Sequence, residues 1–146
     1  MLRSLLIVVL ALLPVGSPRA AEGIASWPSA YPVTETVDRL EAVLRSRNIT
    51  VFAKIDHAAE ASKVGLTMPP TQLLIFGNPR GGTPLMLGAP MIGIDLPLKV
   101  LVWQDSAGKV SVSYNTADFL RQRYGLNDEQ AKTLSVVEGL VAAALK

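Results

Sequence analysis

The chain has 146 residues, 49% of them apolar and 18% charged, with a formal net charge of +2, one histidine and no cysteine. That length suits one domain able to bury a real core. The missing thiols exclude disulfides, thiol catalysis, thiolate metal sites and covalent c-type haem.

The first twenty residues have the three parts of a secretory signal peptide. Arg3 gives the positive start, residues 5–13 are an unbroken apolar run closed by Pro14 and Gly16, and Ala20 and Ala21 form a small-residue exit. The apolar run is about half of the roughly 20 residues a membrane span needs. The expectation is therefore cleavage and a periplasmic or secreted protein, with no permanent membrane span afterwards. Arg3 and Arg19 leave with this segment, so 12 basic residues face 12 acidic ones in the remainder. A near-neutral chain without a run of like charge offers no electrostatic ground for binding nucleic acid or anionic lipid.

Residues 21–32, with Pro28 and Pro32, read as a linker or N-terminal arm ahead of one domain over 33–146. Thr34 is a candidate N-cap, Glu35 and Asp38 suit a first helical turn, and Val37, Leu40 and Leu44 line one face. Arg45, Arg47 and Asn48 suit its end. Alternation at Val51, Ala53 and Ile55 predicts a strand over 50–55. After Asp56 and His57, the alanine-rich stretch to Val64 predicts a short helix closed by Gly65. Pro69 and Pro70 lead into a second strand, 72–76.

Five glycines and four prolines between 77 and 97 predict an ordered loop with one helical turn near 85–87. Residues 98–104 and 109–114 predict a hairpin, turning through Asp105, Ser106, Ala107 and Gly108. Thr116 is placed to cap a helix ending at Tyr124 and Gly125. Asn127 is placed to cap a last helix carrying an apolar stripe through Leu134, Val137, Leu140 and Val141. This order predicts an α+β fold: a small antiparallel or mixed β-sheet covered by helices in a single domain.

Three segments carry a wider resemblance: Ile55-Asp56-His57, Leu74-Ile75-Phe76-Gly77-Asn78-Pro79, and the stretch from Asp95 to Trp103, with Tyr114 and Arg123-Tyr124-Gly125 after them. Together they resemble the bacterial domain-of-unknown-function family 302 (DUF302), over about residues 33–126. The resemblance implies a compact α+β domain that often forms homodimers, and it implies no biochemical role. The helix from Asp128 to Lys146 is less typical of it.

His57 is the one imidazole, placed between a strand and a helix, with Asp56 beside it and Glu60 one turn on. It also suits helix capping or a satisfied structural hydrogen bond. Ser62, Ser111 and Ser113 are the serines a Ser-His-Asp set could draw on, but none sits in a G-x-S-x-G elbow. Asp56, Glu60 and Asp95 supply carboxylates whose separation sequence does not give. Met68, Met86 and Met91 with His57 could hold copper or a haem iron, although thioethers more often fill gaps in cores. In the loop 77–83, Asn78 and Arg80 can clamp a ligand, or the Asn-Pro and Gly-Gly pairs simply shape a turn. Trp103 and Tyr114 fall on apolar strands and suit packing better than stacking.

The preferred expectation is a non-enzymatic exported domain, with a homodimer expected from the family resemblance. Its cleft would be lined by His57, Asn78, Asp95 and Lys99 and would take a small molecule or a protein partner, without cofactor or metal. The alternatives are a hydrolytic or transfer enzyme with His57 as general base, and haem or copper handling through His57 and a methionine.

Overall fold

The computed structural model describes residues 22–146; the expected signal peptide lies outside them. The elements follow in the order β1 (Ile24–Ser29), α1 (Val33–Ser46), β2 (Thr50–Asp56), α2 (His57–Lys63), β3 (Thr71–Gly77), α3 (Pro79–Gly88), a 3-10 turn (Pro90–Ile94), β4 (Leu98–Gln104), β5 (Val110–Asn115), α4 (Ala117–Tyr124), α5 (Asp128–Leu134) and α6 (Val136–Ala144). The strands form one sheet in the order β1-β5-β4-β3-β2, and every neighbouring pair is antiparallel.

Side-chain alternation decides which face is packed. Leu74 and Phe76 on β3, Val100 and Val102 on β4, and Val110, Val112 and Tyr114 on β5 all point to one side. There they meet Val33, Val37, Leu40 and Leu44 of α1 and Val137, Leu140, Val141 and Ala144 of α6. The helical spacing puts each set on a single stripe, and burying each such side chain stabilises the fold by about 1.5–3 kcal/mol. A second cluster closes the end of the sheet where β3 leaves and β4 begins: Leu85, Ile92, Ala117, Leu120, Leu126 and Leu134. The opposite face carries Ala53, Ile55, Leu73, Ile75, Leu101 and Trp103, which are half-buried and belong to neither cluster.

The hairpin, the Thr116 cap and the Asn127 cap stand where the sequence places them. Thr116 and Asn127 accept hydrogen bonds from the N–H groups of Phe119 and Gln130, and Gly108 and Gly125 have positive φ. The sheet is antiparallel throughout, and helices α1 and α6 pack on one face of it.

Four expectations change. Residues 24–29 of the expected arm are an edge strand paired with β5, a position that tolerates Pro28. The start of β1 is fixed by Gly23, whose φ is +79° and where a Cβ would stand 2.3 Å from the Phe119 ring. Helix α1 begins at Val33 after Pro32, so Thr34 lies inside it and no side chain caps it. The stretch expected as loop contains a ten-residue helix, because Asn78 caps it and Pro79 sits in the first turn, where no N–H is needed. The expected last helix breaks at Ser135, whose hydroxyl donates to the Lys132 carbonyl and competes with the helix.

Candidate functional site

A concavity of about 380 Å³ lies at the end of the sheet under α3. Phe76, Leu85 and Leu134 are buried walls, Leu96, Pro97 and Leu98 form another side, and the exposed Phe52 and Met86 stand at its rim. Asn78, Thr83 and Thr133 are its polar side chains. A size in this range with a carbon lining and few polar groups is typical of small-molecule sites.

Local sequence features build this space. In β2 the register slips between Val51 and Ala53, leaving Phe52 as the extra residue of a β-bulge. A bulge re-aims a side chain, here towards the cavity. Gly77 leaves the room between Phe52 and Pro97 that a side chain would fill: a Cβ there would lie 3.6 and 3.5 Å from them. Gly81 lets α3 approach α5, since its Cβ would stand only 3.1 Å from Thr133. At Gly82 a Cβ would meet only Leu96, at 3.9 Å, so any larger side chain there extends into the cavity.

The four residues expected to share a cleft divide between the two ends of the sheet. Asn78 lines the cavity, and its Oδ1 accepts the Arg80 N–H at 2.9 Å to cap α3. Asp95 and Lys99 are neighbours and flank the 96–98 wall. His57 stands beyond the other end of β2: Asp56 pairs with Gln72 there, while Thr50 pairs with Gly77 at the cavity end. Six residues of strand separate the two ends by about 20 Å. The single cleft therefore does not form, because a strand that joins two loops also holds them apart.

Around His57 the neighbouring groups are already occupied. Asp56 accepts from the Ala59 N–H at 2.9 Å and from Gln72 Nε2 at 3.1 Å, acting as the α2 cap. Glu60 pairs with Lys63 at 2.6 Å, and the Ser62 hydroxyl donates to the Ala58 carbonyl. Ser113 accepts from Trp103 Nε1 and shares a hydrogen bond with Ser26. No group of three metal-ligating His, Cys, Asp or Glu side chains gathers among the described residues. The methionines also separate, Met86 lining the end cavity and Met68 a shallow groove beside Asp56.

Asp95 is the hub of a polar cluster behind the cavity wall. Its side chain is 13% exposed. Its Oδ2 accepts from the Tyr124 hydroxyl at 2.5 Å and faces Arg123 Nη1 at 3.6 Å, and its Oδ1 accepts from Asn115 at 3.5 Å. Lys99 Nζ donates to the carbonyls of Asp95 and Pro97, both at 3.0 Å, and reaches that of Ile94 at 3.5 Å. Burial lowers the Lys99 pKa, opposed by the Asp95 charge. The ammonium is thus committed to bracing the chain that forms the wall.

The Tyr124 pKa is raised, first by its hydrogen bond to Asp95, then by burial and the Asp95 charge, with Arg123 opposing. A tyrosine with a raised folded pKa adds stability that is complete below its unfolded value of about 10 and is lost as pH climbs through the folded value. Lys99, with its pKa lowered, acts in the opposite direction over the alkaline range. Tyr114, also raised, chiefly by burial, acts with Tyr124. Tyr124→Phe is therefore expected to flatten, without abolishing, the alkaline loss of stability. Melting temperatures between pH 8 and 11.5 test this; an unchanged slope would refute it.

Sequence reasoning missed Phe52, Leu96 and Met86 as cavity residues. Phe52 carried a signal, being an apolar residue at a position that strict alternation would make polar.

An antiparallel α+β domain with a ligand-sized apolar cavity is the class that these features define. The chain matches DUF302, a domain of unknown function, over residues 25–144 and belongs to that family. The match takes in β1 and reaches α6, both outside the segment on which the resemblance rests. An uncharacterized conserved DUF302 protein from Bacillus stearothermophilus, known from its crystal structure, shares the fold. Its TM-score is 0.71 at 21% identity, covering 86% of this chain and 97% of that one. The chain is also 43% identical over 104 residues to the fluoride-specific ion channel FluC 1 of Brucella suis biovar 1 and to FluC 2 of Brucella melitensis biotype 1. That alignment covers 71% of this chain but 41% and 38% of those two proteins. No helix among the described residues is long and apolar enough to cross a membrane.

Proposed function

We infer that this chain is an exported binding domain that takes up a small, mainly apolar molecule in the cavity beneath α3. The carbon lining of that 380 Å³ space carries the reading. An apolar ligand gains by leaving water there, and Asn78, Thr83 and Thr133 can orient one polar end. Fluoride is a poor fit, because it would lose its hydration among carbon atoms while the Lys99 ammonium is held by three carbonyls.

The neutral fluorescent probe 1-N-phenylnaphthylamine tests this. The wild-type chain is expected to bind it with saturable blue-shifted emission. Gly82→Phe, filling the cavity, is expected to weaken binding at least about tenfold, equivalent to about 1.4 kcal/mol. Phe52→Ala, at the rim, is expected to retain binding. Equal affinity in Gly82→Phe and wild type, with both folded by circular dichroism, would reject the cavity as the site.

The Brucella proteins favour a second reading, in which the domain serves a fluoride channel from the water-facing side. The shared region is about two fifths of their length, which leaves most of each chain for a membrane part. Co-purification of the channel from its own cells with the tagged domain, abolished by competing untagged domain, tests this reading.

A further inference from the structure

We propose that the end cavity selects a neutral carbonyl compound, such as an ester or ketone with an apolar chain, over a free fatty acid or an amine. This rests on the reading of that cavity as a small-molecule site and gives the site a chemical class. Among the described residues, none that lines the cavity is charged. The Lys99 ammonium behind the wall is held by the carbonyls of Ile94, Asp95 and Pro97. Arg80, in the first turn of α3, is exposed and stands outside the lining.

The backbone offers an anion no better place. Free N–H groups at a helix start commonly gather anions, but here one residue takes them up. Pro79 has no N–H. That of Arg80 donates to Asn78 Oδ1 at 2.9 Å, and those of Gly81 and Gly82 donate to the Asn78 carbonyl at 2.9 and 3.0 Å. A carboxylate or an ammonium entering the cavity would lose water and gain no opposite charge, which strongly disfavours it.

The same cap decides which polar group suits the site. An amide side chain has one oxygen that accepts and one NH2 that only donates. With Oδ1 turned to the Arg80 N–H, the NH2 is what Asn78 has to offer a ligand. The hydroxyls of Thr83 and Thr133 both donate and accept, so they suit either kind of partner. A carbonyl oxygen needs donors alone and is matched by the amide. An alcohol brings a donor as well, and the Asn78 oxygen that would take it is bound to the helix. Size sets the rest of the molecule. An apolar cavity of about 150 Å³ holds one benzene ring, so a space of 380 Å³ holds about 15 non-hydrogen atoms at the same density.

Displacement of 1-N-phenylnaphthylamine, which has no carbonyl, tests this at pH 7.5 with methyl decanoate, decanoate and decylammonium as competitors. Methyl decanoate is expected to displace the probe from wild type at a concentration at least about tenfold below either ion. Asn78→Asp still caps α3 but has no donor. Its ester affinity relative to that for the probe is expected to fall at least about fivefold, equivalent to about 1 kcal/mol. Decylammonium is expected to gain, since the new carboxylate gives it a partner. If Asn78→Asp misfolds by circular dichroism, Asn78→Ser, which caps through a shorter side chain and draws the donor back, is expected to show the same loss of ester. Decanoate that matches the ester in wild type overturns the proposal, as does an unchanged ester-to-probe ratio in a folded Asn78 variant. Either result leaves the cavity standing as a site for apolar molecules. A wild type that fails to bind the probe and all three competitors removes the cavity reading itself, and this proposal with it.

Discussion

Phe76→Ala is expected to lower the stability of the domain by about 3–5 kcal/mol, as truncations of buried aromatic side chains do. Phe76 is 1% exposed, belongs to the main core, and forms a wall of the end cavity. Most cores partly collapse after such a loss. This one is held open by the bulge at Phe52 and the bracing of 96–98, so the new void joins the existing cavity. Against a typical total of about 5–15 kcal/mol, the loss is a large fraction. Urea unfolding would show it as a lower midpoint with an unchanged slope. Phe76→Leu, which keeps most of the volume, is expected to cost below about 1.5 kcal/mol. If Phe76→Ala lost as little as Phe76→Leu, the wall would not be part of the core. Saturating apolar probe should also raise the melting temperature of Phe76→Ala, by linkage, for as long as the enlarged cavity still binds.

Much of this fold was legible because its elements announce their ends locally. Thr116, Asn127, Gly108 and Gly125 each do a job one or two residues from where they sit, so short-range chemistry finds them. The stripe of α1 was legible for the same reason. The segment 79–88 was not: three glycines and Pro84 lower its helix propensity, and the helix forms because Asn78 caps it and Leu85 is buried against Ile92 and Leu134. The Leu134 contact is distant in sequence. The edge strand β1 was hidden similarly, since its partner β5 lies more than eighty residues away.

The site was legible only in part. Asp95 and Lys99 are four residues apart and could be expected to meet, and Asn78 was found through its turn chemistry. His57 was drawn towards them by its chemistry alone, and the antiparallel course of β2 carries it to the other end of the sheet. The cavity itself comes from residues that look like ordinary core, and only a three-dimensional arrangement tells a filled core from a hollow one.

Asp95→Ala is expected to cost about 2–3 kcal/mol, although Asp95 does not line the cavity. Hydrogen bonds to a charged group contribute about 1.5–3 kcal/mol each net of exchange with water, and this carboxylate accepts from both Tyr124 and Asn115 while facing Arg123. Its loss leaves the Tyr124 hydroxyl to find water and removes the negative charge that offsets burial of the Lys99 ammonium. Asp95→Asn keeps the size and an acceptor oxygen, and is expected to cost about 1 kcal/mol. Tyr124→Phe and Asp95→Ala touch one network, so their effects should fall short of additive by about 1 kcal/mol or more. The same variant should weaken apolar-probe binding, because Asp95 and Lys99 hold the segment carrying Leu96, Pro97 and Leu98. Additive losses in the double variant would mean that the two residues act separately. Unchanged probe affinity in a folded Asp95→Ala would mean that the wall keeps its shape without them.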